Sequence, residues 1–404
     1  MRSSRAPDLP ADGESTHQSA SEDGHGSGAR AGRRGEVAIL LPSFAAHDAV
    51  GHDTQGLRDS LRDAGFGVRV FAGSSEGGLG AEPLAAARPW LKRGVLVLYQ
   101  QSTGWAEGER LLASASGPLV VRDHAVTPQR FFAASDAALR EEVAAGERQR
   151  AALAHDPRVT RYLATSSCTE RELIALGAPS ERISVVPPFS RVEDLADAAP
   201  DEAALRRFAA RPADVLFVGR VAPNKGQDRI QRVAGRYASL FGESLRVRLV
   251  GKVDLRHLDY DRKLRRERAA LRLEGRVQLL GEVTEAELKA AYLTSRVFLC
   301  CSEHEGFCVP LVEAAWLGLP ILAAHQDAVA DTLGPRGFVL PPDADDDRLA
   351  IALRRLLRDA ELRERLVAAQ RADATARFSR AALATTLALA LAPIRLDAAS
   401  GAAR

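Results

Sequence analysis

A chain of 404 residues carries 55 basic and 53 acidic side chains, with the two signs interspersed and a formal charge of +2. The length suffices for two domains with full cores, and the balance excludes the one-signed basic surface that nucleic-acid binding requires. Cys168, Cys300, Cys301 and Cys308 lack a zinc spacing and fit a reducing cytoplasm, and no apolar run reaches transmembrane length.

Residues 1–34, rich in Ser, Gly, Asp and Arg, are expected to form a disordered tail, neither a signal peptide nor a folded element. From Glu36 onward short apolar runs alternate with helical patterns, as in a parallel sheet covered on both faces. The first expected strands are Val37–Leu41, Gly67–Phe71, Val95–Tyr99, Leu119–Arg122, Arg161–Thr165 and Ile183–Val186, with helices such as Thr54–Ala64 and Thr169–Leu176 between them. Pro187-Pro188-Phe189 and an acidic, Ala-rich stretch to Pro200 read as a linker. A second strand series follows: Val215–Val218, Val247–Val250, Val277–Leu280, Val297–Cys300, Ile321–Ala323 and Phe338–Leu340. Its expected helices include Gln227–Leu240, Glu285–Leu293, Pro310–Leu317 and Arg348–Leu357. A last helix, Arg380–Leu391, is almost continuously apolar and has no place in the second sheet's pattern. The fold class is α/β, two doubly wound parallel-sheet domains over 35–200 and 201–376, followed by 377–404. The basic run from Arg262 to Arg268, broken by Glu267, reads first as a solvated helix face and second as a weak membrane-surface contact.

The most informative segment is Ser302-Glu303-His304-Glu305-Gly306-Phe307-Cys308-Val309-Pro310-Leu311-Val312-Glu313. It leaves a short apolar strand and enters a helix, with Pro310 suited to the first helical position. Backbone N–H groups around Cys308 and Val309 would point at an anion placed there, with Glu305 and Glu313 on either side. A first-turn Glu is stabilised by the helix dipole in any protein, and a loop Glu is ordinarily exposed. About eighty residues upstream a strand ends in Gly219-Arg220, and Lys225 follows before a helix. Cations at the carboxyl end of a strand lie where α/β sheets bind ligands. The plain alternatives are a surface salt bridge for Arg220 and an ordinary loop lysine for Lys225.

The two motifs in this order, G-R-x4-K then E-x7-E, resemble the retaining family-4 glycosyltransferases (glycosyltransferase group 1), over most of residues 35–395. The resemblance implies the GT-B architecture: two Rossmann-like domains facing a cleft, with the last helix crossing back onto the first. It also implies transfer of a sugar from a UDP- or GDP-sugar to a hydroxyl acceptor, a glycan, lipid-linked saccharide or small molecule, with retention and no covalent intermediate. Arg220 and Lys225 would neutralise the diphosphate together with the backbone of Gly306, Phe307, Cys308 and Val309. With these cations in place no metal and no other cofactor is expected. Glu313 would accept from the ribose hydroxyls and Glu305 from the transferred sugar.

On the first domain, Asp123-His124 follows an expected strand, so His124 reaches the cleft mouth. Related enzymes carry a functional His there, and His124 is the candidate for contacting the sugar near its anomeric centre; the alternative is a loop cap. His304 is expected to face outward. The loop His47–His52 would approach the diphosphate through Gly51, where the family commonly has two glycines. Gln100-Gln101 stands where some relatives place a His. Gly73 to Gly80 lacks the dinucleotide fingerprint, which speaks against an oxidoreductase. The rivals are a nucleotide-sugar epimerase or phosphorylase on the same fold, and a non-catalytic nucleotide-sugar-binding protein. Oligomeric state has no signal here.

Overall fold

The computed structural model describes residues 34–132, 137–253 and 255–394. The expected tail, and the chain beyond 394, lie outside the described residues.

Seven strands build the first sheet: β1 (Glu36–Phe44), β2 (Gly67–Ser75), β3 (Glu82–Pro83), β4 (Leu96–Gln101), β5 (Leu119–Asp123), β6 (Val159–Ala164) and β7 (Ile183–Val185). They run parallel in the order β3-β2-β1-β4-β5-β6-β7. Such a sheet must be buried on both faces, and β1 shows how the sequence achieves it. Val37, Ile39 and Leu41 join one apolar cluster while Ala38 and Leu40 join another, which is the period-2 alternation of a strand with two cores. β3, only two residues long, has no sequence periodicity and was not expected.

The second sheet has β8 (Ala213–Val218), β9 (Val247–Val250), β10 (Val277–Leu279), β11 (Ser295–Cys300), β12 (Ile321–Ala323) and β13 (Phe338–Val339). All are parallel, in the order β10-β9-β8-β11-β12-β13. In each sheet the order reverses once, between β1 and β4 and between β8 and β11. A crevice opens at the carboxyl ends of strands at such a switch point, and the motif loops leave from β8 and β11.

Three features differ from the sequence reading. The first helix begins at Ala49, not Thr54, because Asp48 caps it by accepting from the Gly51 N–H, a cap that outweighs the glycine. The expected linker contains a helix, Val192–Asp197, whose Val192 and Leu195 belong to the second domain's core, whereas Phe189 belongs to the first. The crossover therefore falls near residue 190 instead of 200. Ala360–Phe378 is a further helix packed against the helix Val309–Trp316. It escapes periodicity because only Gln370, Ala374 and Phe378 of its nineteen residues are buried. The final helix, Arg380–Leu391, places Leu383, Leu387 and Ala390 in the first domain's core.

Charges in the basic run are largely matched. Arg262 pairs with Asp259, Lys263 with Asp228 and Arg265 with Asp261, which describes a solvated helix face. No described helix is long and apolar enough to cross a membrane.

Candidate active site

After β8 the chain passes Gly219 and an exposed Arg220, makes a short turn at Pro223–Lys225, and enters the helix Gln227–Phe241 through Gly226. Gly226 is left-handed, φ 67°, and a Cβ there would lie 2.1 Å from the Cys301 carbonyl oxygen. The position admits only glycine because two loops meet. Asn224 joins them: its Nδ2 donates to the His304 carbonyl at 3.1 Å, and its own carbonyl accepts from the Glu303 N–H at 2.8 Å. Lys225 Nζ then donates to Glu305 Oε2 at 2.7 Å. Gln227 Nε2 holds the Arg220 carbonyl at 2.8 Å, and among the described residues no side chain pairs with the Arg220 guanidinium. The first loop thus presents one free cation and one cation shared with Glu305.

Cys308 caps the helix Val309–Trp316 in the left-handed region, φ 76°, without a side-chain hydrogen bond. A non-glycine residue held there stores strain, and such strain concentrates at ligand sites. Among the described residues the N–H groups of Cys308 and Val309 find no protein acceptor, as an anion site at a helix start requires. Phe307 packs its ring edge-on against Phe378, centroids 5.2 Å apart, and its carbonyl accepts from the Thr332 hydroxyl, so its N–H is the group left for a ligand. Glu313 is half-buried and accepts from the Tyr292 hydroxyl at 2.7 Å. Burial pushes its carboxyl above the usual range, partly opposed by that hydroxyl.

Gly306 brings the domains together. A Cβ on it would sit 2.5 Å from the His124 carbonyl oxygen, and its own carbonyl accepts from Thr165 Oγ1 at 3.1 Å. The close approach that Gly306 permits is therefore to the first domain's backbone. His124 leaves the end of β5, 9% exposed at the side chain, with Nε2 2.6 Å from Gln100 Oε1 and 3.4 Å from Asp53 Oδ2. Glu305, Gly306, Lys225 and His124 are brought to one place.

Two expectations change. His304 is buried, 8% exposed, with its ring 6.0 Å from that of Phe131 and its basicity lowered by burial; Asn224 grips its backbone on both sides and turns it inward. Gly51 lies in a helix, not in a loop. Its N–H is taken by Asp48, a Cβ there would strike the Ala45 carbonyl oxygen at 1.8 Å, and among the described residues no hydrogen bond links it to the cations.

Sequence reasoning missed Asn224, Tyr292, Asp53 and Arg122. Asn224 was within reach, inside the G-R-x4-K spacing. Asp53 was signalled too: with Leu57 and Leu61 it forms an i, i+4, i+8 stripe on a buried helix face, where an unmatched acid is out of place.

Residues 202–373 match the family described as Glycosyl transferases group 1. The GDP-mannose-dependent alpha-mannosyltransferase of Mycobacterium tuberculosis is 31% identical over 204 residues, 50% of this chain and 49% of that protein. The D-inositol 3-phosphate glycosyltransferase of Acidothermus cellulolyticus is 32% identical over 215 residues, 51% of this chain and 47% of that protein. The match thus spans about half the length of these curated relatives. Among solved structures, Anabaena HepE in complex with UDP and glucose superposes with a TM-score of 0.68 at 19% identity, covering 89% of this chain and 100% of that one. Sucrose-phosphate synthase from Thermosynechococcus elongatus gives 0.68 at 19% identity, covering 89% and 99%. Residues 202–373 are thus similar to the group 1 glycosyl transferases, and the chain, with two parallel-sheet domains of this topology, has the GT-B fold.

Proposed function

We propose that the protein is a retaining hexosyltransferase that moves a sugar from a UDP- or GDP-sugar to a hydroxyl acceptor without a metal ion. What supports this most is the pair of loops at the second sheet's switch point, joined through Asn224, with Arg220 unpaired among the described residues and Lys225 against Glu305. In this reading Arg220 grips the diphosphate with its planar fork and Lys225 acts as a compact charge. The N–H groups of Cys308 and Val309 complete the cradle. Preorganised donors of this kind supply the largest share of stabilisation for charge growing on a leaving phosphate. Glu313 accepts from the ribose, Glu305 anchors the sugar, and His124 meets the sugar near its anomeric carbon. The leaving phosphate oxygen takes the acceptor proton on the same face, which retains the anomeric configuration. GDP-mannose in one relative's name and UDP in the HepE complex support a nucleoside-diphosphate donor of either base. Four buried free thiols are compatible with a cytoplasmic setting.

The test is incubation of the full chain with UDP-, GDP- and ADP-sugars and a panel of hydroxyl acceptors, in excess chelator, with product anomers assigned by NMR. A product of retained configuration is expected. Epimer formation without acceptor would favour an epimerase, nucleotide binding without any turnover would favour a binding protein, and activity restored only by magnesium or manganese would end the metal-free reading.

A further inference from the structure

The first domain holds a buried charge network that the reaction described above does not use. Asp53, on the second turn of the helix Ala49–Asp63, is fully buried. Arg122, the penultimate residue of β5 and equally buried, clasps it with both arms of its fork, Nε to Oδ2 at 2.8 Å and Nη2 to Oδ1 at 3.0 Å. The carboxylate also accepts from the Phe189 N–H at 2.9 Å, and the remaining arm of Arg122 donates to the Val186 carbonyl. Val186 and Phe189 flank Pro187 and Pro188 at the end of the first domain, just ahead of the crossover near residue 190. One acid therefore fastens the chain that leads into the crossover.

The same acid faces the candidate site. Arg122 and His124 are two residues apart on one strand end and point to one side, while Asp123 points to the other and is taken by Arg150 Nε at 2.7 Å and the Ala125 N–H at 2.9 Å. Asp53 Oδ2 lies 3.4 Å from His124 Nε2, which is also 2.6 Å from Gln100 Oε1. Gln100 Nε2 donates to Thr54 Oγ1 at 2.9 Å, and this leaves Oε1 as the acceptor. Both atoms facing Nε2 are then acceptors, so Nε2 carries the proton. Nδ1 is left without a protein partner among the described residues. Burial alone would raise the Asp53 carboxyl, but Arg122 and His124 outweigh it and hold it well below the usual range, so the acceptor is always a carboxylate at working pH.

We propose that Asp53 is a positioning residue for sugar transfer: one buried carboxylate faces the His124 ring beside Gln100 and also fastens the chain leading into the interdomain crossover, so the ring is correctly set only when that segment is in place. The inference rests on the transferase reading for its kinetic arm alone. Mutating Asp53 removes no group that touches donor or acceptor, so its effect must pass through His124 and the crossover.

The experiment is a double-mutant cycle in the full chain, using a donor and acceptor that the wild type turns over. Asp53→Asn is expected to lower kcat about tenfold, within the coupling found for residues of one network, with the Kd for free nucleotide unchanged. In a His124→Ala background the same substitution should change kcat less than about twofold. Losses that multiply, or an Asp53→Asn variant of wild-type kcat, would overturn the proposal. Because removing a buried carboxylate from Arg122 can unfold a protein, a second measurement leaves Asp53 in place. Nitrogen-15 NMR of the His124 ring should report the Nε2–H tautomer in the wild type and also in Gln100→Leu, where the Asp53 carboxylate is the acceptor that remains; an Nδ1–H ring in either would overturn the proposal equally. That readout needs no substrate, so it judges Asp53 separately from the transferase reading.

Discussion

Lys225 and Glu305 are assigned to different parts of one donor, yet they hold each other at 2.7 Å, their side chains 19% and 7% exposed. A diphosphate that draws on Lys225 must loosen this pair. Breaking a charge-assisted hydrogen bond costs about 1.5–3 kcal/mol when the partner is left dry, and partial exposure of the lysine reduces that to about 1 kcal/mol. Glu305→Gln keeps the shape, releases the lysine and should therefore tighten free UDP or GDP binding about fivefold, 1.4 kcal/mol being tenfold. Sugar transfer should nonetheless fall, because the carboxylate proposed to anchor the sugar is gone; losing one preorganised contact costs about 2–4 kcal/mol in the transition state. Lys225→Met does the reverse: it leaves a buried carboxylate unpaired, weakens free nucleotide more than about tenfold, and lowers stability. Titration calorimetry with the free nucleotides and a product assay on the same samples separate the two effects. Weaker nucleotide binding by Glu305→Gln than by the wild type would refute the division of labour, since the acid would then serve the nucleotide itself.

Glu313→Gln tests the ribose role and carries a pH signature. Because burial raises this carboxyl, ionising it in the folded state costs stability, and the cost appears as pH rises through the raised pKa and is absent below the ordinary carboxylate range. The variant should melt higher than the wild type at neutral pH, match it in acid, and bind free nucleotide more weakly; a lower melting temperature at neutral pH would contradict the burial argument. Gly306→Ala places a methyl 2.5 Å from the His124 carbonyl oxygen, so the loops must part. Transfer should drop about tenfold or more, as misplacement of about an ångström does, with free nucleotide affinity nearly unchanged; full activity would show that the two loops need not approach.

The parts legible in the sequence were those governed by local rules. Val37 to Leu41 reads as a doubly buried strand because apolarity is continuous over five residues, and the helix after Cys308 announces itself through Pro310. What stayed hidden depends on pairs distant in sequence. Nothing near Glu305 says that Lys225 neutralises it, and nothing near His304 says that Asn224 turns it inward. The start of the first helix was hidden because Gly51 argues locally against helix, while one hydrogen bond from its N–H to the Asp48 cap decides for it.

Asp53 and Arg122 mark the boundary between these cases. Each is a charge set in an apolar pattern, and a full charge is not buried without a partner. Two such anomalies of opposite sign, one on the first helix and one at the end of a buried strand, imply each other, because a dry carboxylate and a dry guanidinium are tolerable only together. The sequence alone could have posed that pairing as a hypothesis. It could not have shown that the Phe189 N–H and the His124 ring converge on the same carboxylate. That convergence is a property of the folded crossover, and it is what makes this acid a link between domain geometry and the site instead of a core salt bridge.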